Sequence, residues 1–279
     1  EDYYITYRVS KNLATGHGLV YTPGERVHAF TSPLNVLTPA ALIVLTGNTS
    51  DALVLWLFRL VSCAFLAAAA VLLFDSARKN CLRRLPIILL VGMFAADAKI
   101  VDFSINGQEI AFMMFFLALA LHALTVRSDW TTLKLGLAGG GLMWTRPDGF
   151  VYLAAIALGF LLFNAGRPIG RSRLGLLKVL VGAAALTTVL YLPWLLWAWH
   201  YYGSPVPHTI IAKALTHHGA PSSSRPWLLT LLMSPLGMLR TSAGGTFLPA
   251  YTLVFGGWHW TAALYGKFLA CLCALYWLL

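Results

Sequence analysis

ALVLWLFRLVSCAFLAAAAVLLF, residues 52–74, carries a single charge, Arg59. About 20 consecutive apolar residues suffice for a helix to cross the hydrocarbon of a bilayer. A helix on the surface of a soluble domain shows a polar face instead, and this stretch has none. Working outward, further runs of the same kind extend from Leu85 to about Ile100, Ile110 to Val126, Phe150 to Phe163 and Leu176 to Trp199. Leu133 to Trp144 is short and holds Gly136, Gly139, Gly140 and Gly141; it reads as a spanning helix packed closely on its neighbours through small residues. Weaker runs follow at Trp227–Leu239, Phe247–Trp260 and Ala262–Leu279. Composition agrees. Hydrophobic residues make up 58% and charged residues 11%, against about 25% charged in soluble domains, and the mean hydropathy is +0.72. The fold expected is an all-α polytopic membrane protein.

A net charge of +10 would suggest a nucleic-acid partner in a soluble protein. Here the charges fall in short loops between apolar runs, where they set orientation, and no nucleic acid is expected. Four cysteines, three of them inside apolar runs, show neither a disulfide framework nor zinc spacing. There is no internal repeat. The chain opens without Met and stops within the apolar run Ala274–Leu279, so a helix before Glu1 and further sequence after Leu279 are expected. Two parts follow: residues 1–50 as a polar loop with an acidic motif, and residues 51–279 as the helical bundle.

Basic residues alternate from loop to loop. Arg78, Lys79, Arg83 and Arg84 form one set, Arg127 and Lys134 the next, and Arg167, Arg171, Arg173 and Lys178 the third. The positive-inside rule makes these loops cytoplasmic. The intervening segments, residues 1–50, 102–109, 146–149 and 200–226, then lie outside. Glu1, Asp2, Glu25, Asp102, Glu109 and Asp148 land on that side, with His17, His28, His200, His208, His217 and His218. Groups able to do chemistry thus converge on one membrane face. Val36–Thr46, which holds Pro39, is too short to span and fits an interfacial or re-entrant helix on that face.

The first segment carries Glu1-Asp2, Ile5-Thr6-Tyr7-Arg8, Gly16-His17-Gly18, Thr22-Pro23-Gly24-Glu25 and Phe30-Thr31-Ser32-Pro33-Leu34. Later come Asn106-Gly107-Gln108-Glu109, Thr145-Arg146-Pro147-Asp148-Gly149, and Tyr201-Tyr202-Gly203-Ser204-Pro205-Val206-Pro207-His208-Thr209 running to Ala212-Lys213. In this order the motifs resemble those of the GT-C glycosyltransferases that use polyprenyl-phosphate sugars, most nearly the mycobacterial arabinofuranosyltransferase-like branch. The likeness covers residues 1–213. It departs where Glu1 opens the acidic pair, where Thr22 and His208 stand in place of the usual Asn, and in lacking a first helix and an outer C-terminal domain.

The resemblance implies a GT-C-like bundle in the plasma membrane whose first extracytoplasmic loop bears short interfacial helices. It also implies inverting transfer of a sugar from a polyprenyl-phosphate donor to a glycan or glycolipid acceptor on the extracytoplasmic face, in cell-envelope and cell-wall biogenesis. An acceptor hydroxyl attacks the anomeric carbon as the lipid phosphate leaves, and a carboxylate takes the hydroxyl proton. Asp2 or Glu1 is that base under the resemblance. Arg8, Arg146, Lys213 and His208 are candidates for the leaving phosphate, because Arg offers a planar fork of donors. Glu109, Tyr4 and His17 are candidates for sugar contacts. No metal centre is expected from the residues. A divalent cation bridging Glu1 and Asp2 to the donor phosphate stays open, and no other cofactor is implied.

Plainer readings stand beside these. The acidic pair equally suits a helix start, and Glu109 equally favours a helix N-terminus. Arg146 equally pairs with Asp148 at the head of a helix, Lys213 equally snorkels to headgroups, and Arg8 equally steadies the acidic pair. His217-His218 offers too few ligands for a metal. A different class of function, a multi-pass transporter or lipid flippase, would place ionisable groups near the midplane. Here they gather at one face, with Arg59 the main charge inside a span.

Overall fold

The computed structural model describes residues 2–80, 82–126, 128–163 and 173–212. The expected spans at Trp227–Leu239, Phe247–Trp260 and Ala262–Leu279 lie outside the described residues, as do Glu1, Lys213, His217 and His218. Every element among the described residues is a helix. The chain divides into two compact units, residues 1–90 with 103–213 and residues 91–102 with 214–279. The first fifty residues therefore pack with the helices that follow them, and all the described site residues belong to the first unit.

Two short helices come first, α1 (Asp2–Ala14) and α2 (Pro33–Leu45). The second begins three residues earlier than its apolar run suggests. Ser32 caps it by accepting the Asn35 N–H at 3.2 Å, and Pro33 supplies a preset φ where no donor is needed. It stops at Thr46-Gly47-Asn48, where Gly47 (φ 62°) and Asn48 (φ 57°) enter the left-handed region. Their N–H groups return to Val44 O and Ile43 O, satisfying carbonyls that a helix end leaves open.

Helix α3 (Asp51–Lys79) is capped by Ser50, with Asp51 in its first turn and Arg78 and Lys79 in its last, each placed to oppose the helix dipole. It contains the 52–74 run whole. The run expected from Leu85 to Ile100 is two helices instead, α4 (Arg84–Ala95) and α5 (Ala98–Ile105). The break falls at Asp97, whose carboxylate accepts the N–H groups of Lys99 and Ile100, both at 3.0 Å. A side chain that caps the next helix competes with continuing the last one. Helices α6 (Ile110–Thr125), α7 (Thr131–Thr145), α8 (Gly149–Phe163) and α9 (Arg173–Tyr202) match their runs within a few residues.

Helices α3 and α9 are each long and apolar enough to cross a membrane. Only 17% and 11% of their most apolar windows is buried inside the protein. A core helix of a soluble protein would bury most of that surface. Trp56, Leu60, Val71 and Phe74 on α3 and Val181, Val189 and Leu196 on α9 face outward, the kind of apolar surface that a membrane or a partner protein covers.

Contacts set the helix directions. Phe58 meets Phe112, Phe65 meets Phe116, Asp75 meets His122 and Asn80 meets Thr125, so α3 and α6 run parallel. Thr132 meets Gly182, Gly136 meets Leu186, Gly140 meets Leu190 and Trp144 meets Trp194, so α7 and α9 also run parallel. The glycines of α7 do what their sequence suggested. Gly136, Gly139 and Gly140 let α9 approach, and Gly141 takes the ring of Phe116 from α6. The start of α3, the start of α6, the end of α7, the start of α8 and the end of α9 therefore share one end of the unit, here called the Asp51 end. At the other end Asp75 Oδ2 contacts His122 Nε2 (2.9 Å) and Lys79 Nζ (2.7 Å).

Candidate functional site

The Asp51 end is assembled around the turn that joins α5 to α6. Gly107 stands there at φ 83°, a conformation open to glycine, and a Cβ on it would run into the ring of Tyr3. Its carbonyl accepts the buried Asn35 Nδ2 at 3.0 Å. Ile105 O accepts Arg59 Nε at 2.9 Å. Helices α1, α2 and α3 each hold this turn through one side chain. Helix α1 is itself tied down by Asp51, whose carboxylate takes Lys11 Nζ at 2.9 and 3.0 Å and the Tyr7 hydroxyl at 2.8 Å. Tyr3 and Tyr7 stack at 5.5 Å and join Ile43, Val54, Phe58 and Phe112 in one apolar cluster.

Two residues past Gly107, Glu109 precedes α6. Its carboxylate does not cap that helix; it accepts Arg146 Nη1 at 3.1 Å. Arg146 also donates through Nε and Nη2 to the two oxygens of Asp148, at 2.8 and 3.2 Å. Both carboxylates raise the affinity of this guanidinium for its proton, Asp148 first and against the effect of burial. The Glu109 side chain is 15% exposed, so Arg146 chiefly neutralises a mostly buried acid. Its fork is occupied on both sides. The pairing with Asp148 that the sequence offered as the plainer reading is present, with Glu109 added to it.

A second group lies where the first loop packs on the end of α9. Tyr202 OH donates to Leu19 O at 2.5 Å, and Gly18 comes so close to Tyr201 that an added Cβ would lie 2.8 Å from its hydroxyl. His17, between Gly16 and Gly18, is exposed and shares a hydrogen bond of 2.9 Å with Thr15 Oγ1. Arg8 is exposed, its guanidinium 4.6 Å from the ring centre of Tyr21. Arg26 lies over Tyr201 in the same manner. Tyr4, 71% exposed, touches Tyr3 edge-on. His208 Nδ1 accepts the His28 N–H at 3.0 Å, while the His208 N–H donates to His28 O at 3.1 Å. That acceptor role puts the neutral ring's proton on Nε2. Asp2 is the first residue of α1 and adjoins Tyr3, which lies over Gly107. Among the described residues no group of three His, Cys, Asp or Glu could hold a metal ion.

His28 is 3% exposed, boxed by Phe30, Trp194 and Tyr202, the last stacked at 4.4 Å. Burial first, and His208 second, push its pKa down to about 4. The unfolded chain takes up this proton near pH 6.5, and the folded chain refuses it until about pH 4. His28 thus costs no stability above pH 6.5, and stability falls as pH drops through that window, by about 2–3 kcal/mol at its foot. Thermal melts of the chain in nanodiscs at pH 7 and pH 4.5 should show the loss, and His28→Phe should reduce it. An unchanged pH response in His28→Phe rules the account out.

Between α7, α8 and α9 runs an apolar cavity of about 540 Å³, lined by Met143, Phe150, Ile156, Leu177, Thr187 and Tyr191 among others. It extends from the Asp51 end, one turn from Arg146, toward the opposite end at Leu124 and Leu177. Sequence reading missed this cavity, and it missed Asp51, Asn35 and His122 as tie points. Their partners lie 44, 72 and 47 residues away, and no local spacing signals such pairs. Asn35 left one clue, an amide among the apolar residues of a short helix. Compared with known proteins, the chain matches no family model, no curated protein and no solved structure.

Proposed function

We propose that this chain is a multi-pass plasma-membrane glycosyltransferase that moves a sugar from a polyprenyl-phosphate donor to a glycan or glycolipid acceptor, with inversion, on the extracytoplasmic face. The observation that carries the reading is the gathering of motifs at the Asp51 end. Residues quoted from four separate parts of the chain meet there: the start of α1, the 105–109 turn, the 146–148 corner, and His208 against the first loop. In this reading Asp2 or Glu1 takes the acceptor proton. Positive loops at the opposite end, with Arg78, Lys79, Arg83 and Arg84, orient the Asp51 end outward.

The test is transfer itself. Membranes carrying the chain are given defined polyprenyl-phosphate sugars and a labelled membrane glycan fraction. Label-shifted product with at least one donor, absent from membranes without the chain, is the expected result. Equal product in both, or none with any donor, sinks the reading.

A further inference from the structure

Arg59 is the charge on α3 that the preceding account leaves without a counter-ion. It stands eight residues after Asp51, about 12 Å along the helix. Helix α3, with 29 residues, is about 43 Å long, whereas the hydrocarbon is about 30 Å thick. Arg59 therefore sits just inside the boundary, where a guanidinium can still reach headgroup level. A charge there is costly.

Its orientation is set. Nε donates to Ile105 O at 2.9 Å, and the guanidinium lies 4.8 Å from the ring centre of Trp56. These contacts hold the plane and use one of five N–H donors. Among the described residues no carboxylate serves the other four. Asp51 is taken by Lys11 and Tyr7, and Glu109 and Asp148 are taken by Arg146. Trp56 and Leu60, flanking Arg59, are exposed, so the fork is open to a ligand arriving sideways through the bilayer.

A second observation points to the same place. Tyr3 is 6% exposed and its hydroxyl is buried without a hydrogen-bond partner. Burial pushes the phenol well above its usual range, and the first influence opposing that rise is Arg59. Tyr3 packs on Phe58, the residue before Arg59, and over Gly107, two residues past the Ile105 carbonyl that Arg59 holds, so a neutral O–H donor and a guanidinium fork flank one turn. Two such donors suit a tetrahedral anion. Arg146 already has two carboxylates on three of its five donors.

We propose that Arg59, assisted by the Tyr3 hydroxyl, binds the phosphate of a prenyl-phosphate lipid. The proposal rests on the glycosyltransferase reading for the identity of that lipid, and on the geometry alone for the site. Arg59 holds phosphate oxygens with its Nη atoms while its Nε stays on Ile105, and Tyr3 donates to a further oxygen.

The experiment titrates a C20 prenyl phosphate into the full chain in phosphatidylcholine nanodiscs. Arg59→Gln should weaken binding at least tenfold and Arg59→Lys several-fold, because an ammonium keeps the charge but loses the fork. Tyr3→Phe, which removes only an unpartnered hydroxyl and leaves the fold intact, should weaken it about threefold to tenfold. Arg78→Gln, at the far end, should bind normally. Millimolar inorganic phosphate should compete poorly, as should discs doped with phosphatidylglycerol. Strong competition by inorganic phosphate would reduce the site to a free-phosphate site, and strong competition by phosphatidylglycerol would make it a general headgroup site; either overturns the proposal. Normal binding by Arg59→Gln also overturns it, and if the chain still transfers sugar the function stands without it. Binding that depends on Arg59, in a chain that transfers no sugar, supports the site and removes the glycosyltransferase reading instead.

Discussion

Replacing Glu1 and Asp2 together with Gln and Asn is expected to lower sugar transfer by about 10²–10⁴-fold, the usual contribution of a positioned general base. The shapes of the side chains are kept and only the proton-accepting charge is lost. Single replacements then separate the two acids, and the base is the one whose loss alone reproduces the double variant. The measurement must be paired with a melt, because Asp2 opens α1, and a carboxylate at a helix start adds stability of its own. Losing such a group costs about 0.5–2 kcal/mol, too little to remove activity from a folded protein. A folded double variant that still transfers sugar at a near-normal rate ends the acid–base assignment. A variant whose activity falls only in step with its melting shows a structural acid.

Gly139→Leu is expected to be the most damaging single change to the fold, a loss of about 3 kcal/mol or more. A Cβ at Gly139 would overlap Thr187 Oγ1, and one at Gly136 or Gly140 would lie 2.6 or 2.7 Å from Leu186 or Leu190. The two helices would have to separate, and the Thr187 hydroxyl would lose Gly136 O, now at 3.3 Å. Helix association in lipid depends on this close packing, since lipid tails offer no hydrophobic gain for joining helices. Gly159→Ala on α8 is the control. Nothing lies within 4 Å of its added Cβ, so it should gain up to about 1 kcal/mol of helix propensity. Unfolding in mixed detergent should separate the two variants clearly. Equal stability of Gly139→Leu and the parent chain would deny the α7–α9 contact.

The helices were legible because hydropathy and capping act locally. Ala52–Phe74 needs no partner to be a membrane-length helix; hydropathy, followed in place of the Ser32-Pro33 cap, puts the start of α2 three residues late, at Val36. The same locality explains the miss at Asp97. Hydropathy averaged across it reads one span, whereas a single carboxylate bonded to Lys99 N and Ile100 N starts a new helix. The glycines of α7 were legible as a packing face, though not which neighbours they admit.

What stayed hidden was the long-range pairing of charges. Arg146, read both as a phosphate ligand and as the partner of Asp148, has Asp148 on one side and also Glu109 on the other. Arg59, read as a stray charge inside a span, presents an open fork. The sequence by itself determined a helical chain with two helices of membrane length, because transfer to hydrocarbon and capping depend on neighbours within a few positions. Only the tertiary structure decided which distant acid neutralises which base, because Coulomb energy depends on distance in space, and residues 37 to 47 positions apart meet here: Glu109 with Arg146, Asp51 with Lys11 and Asp75 with His122.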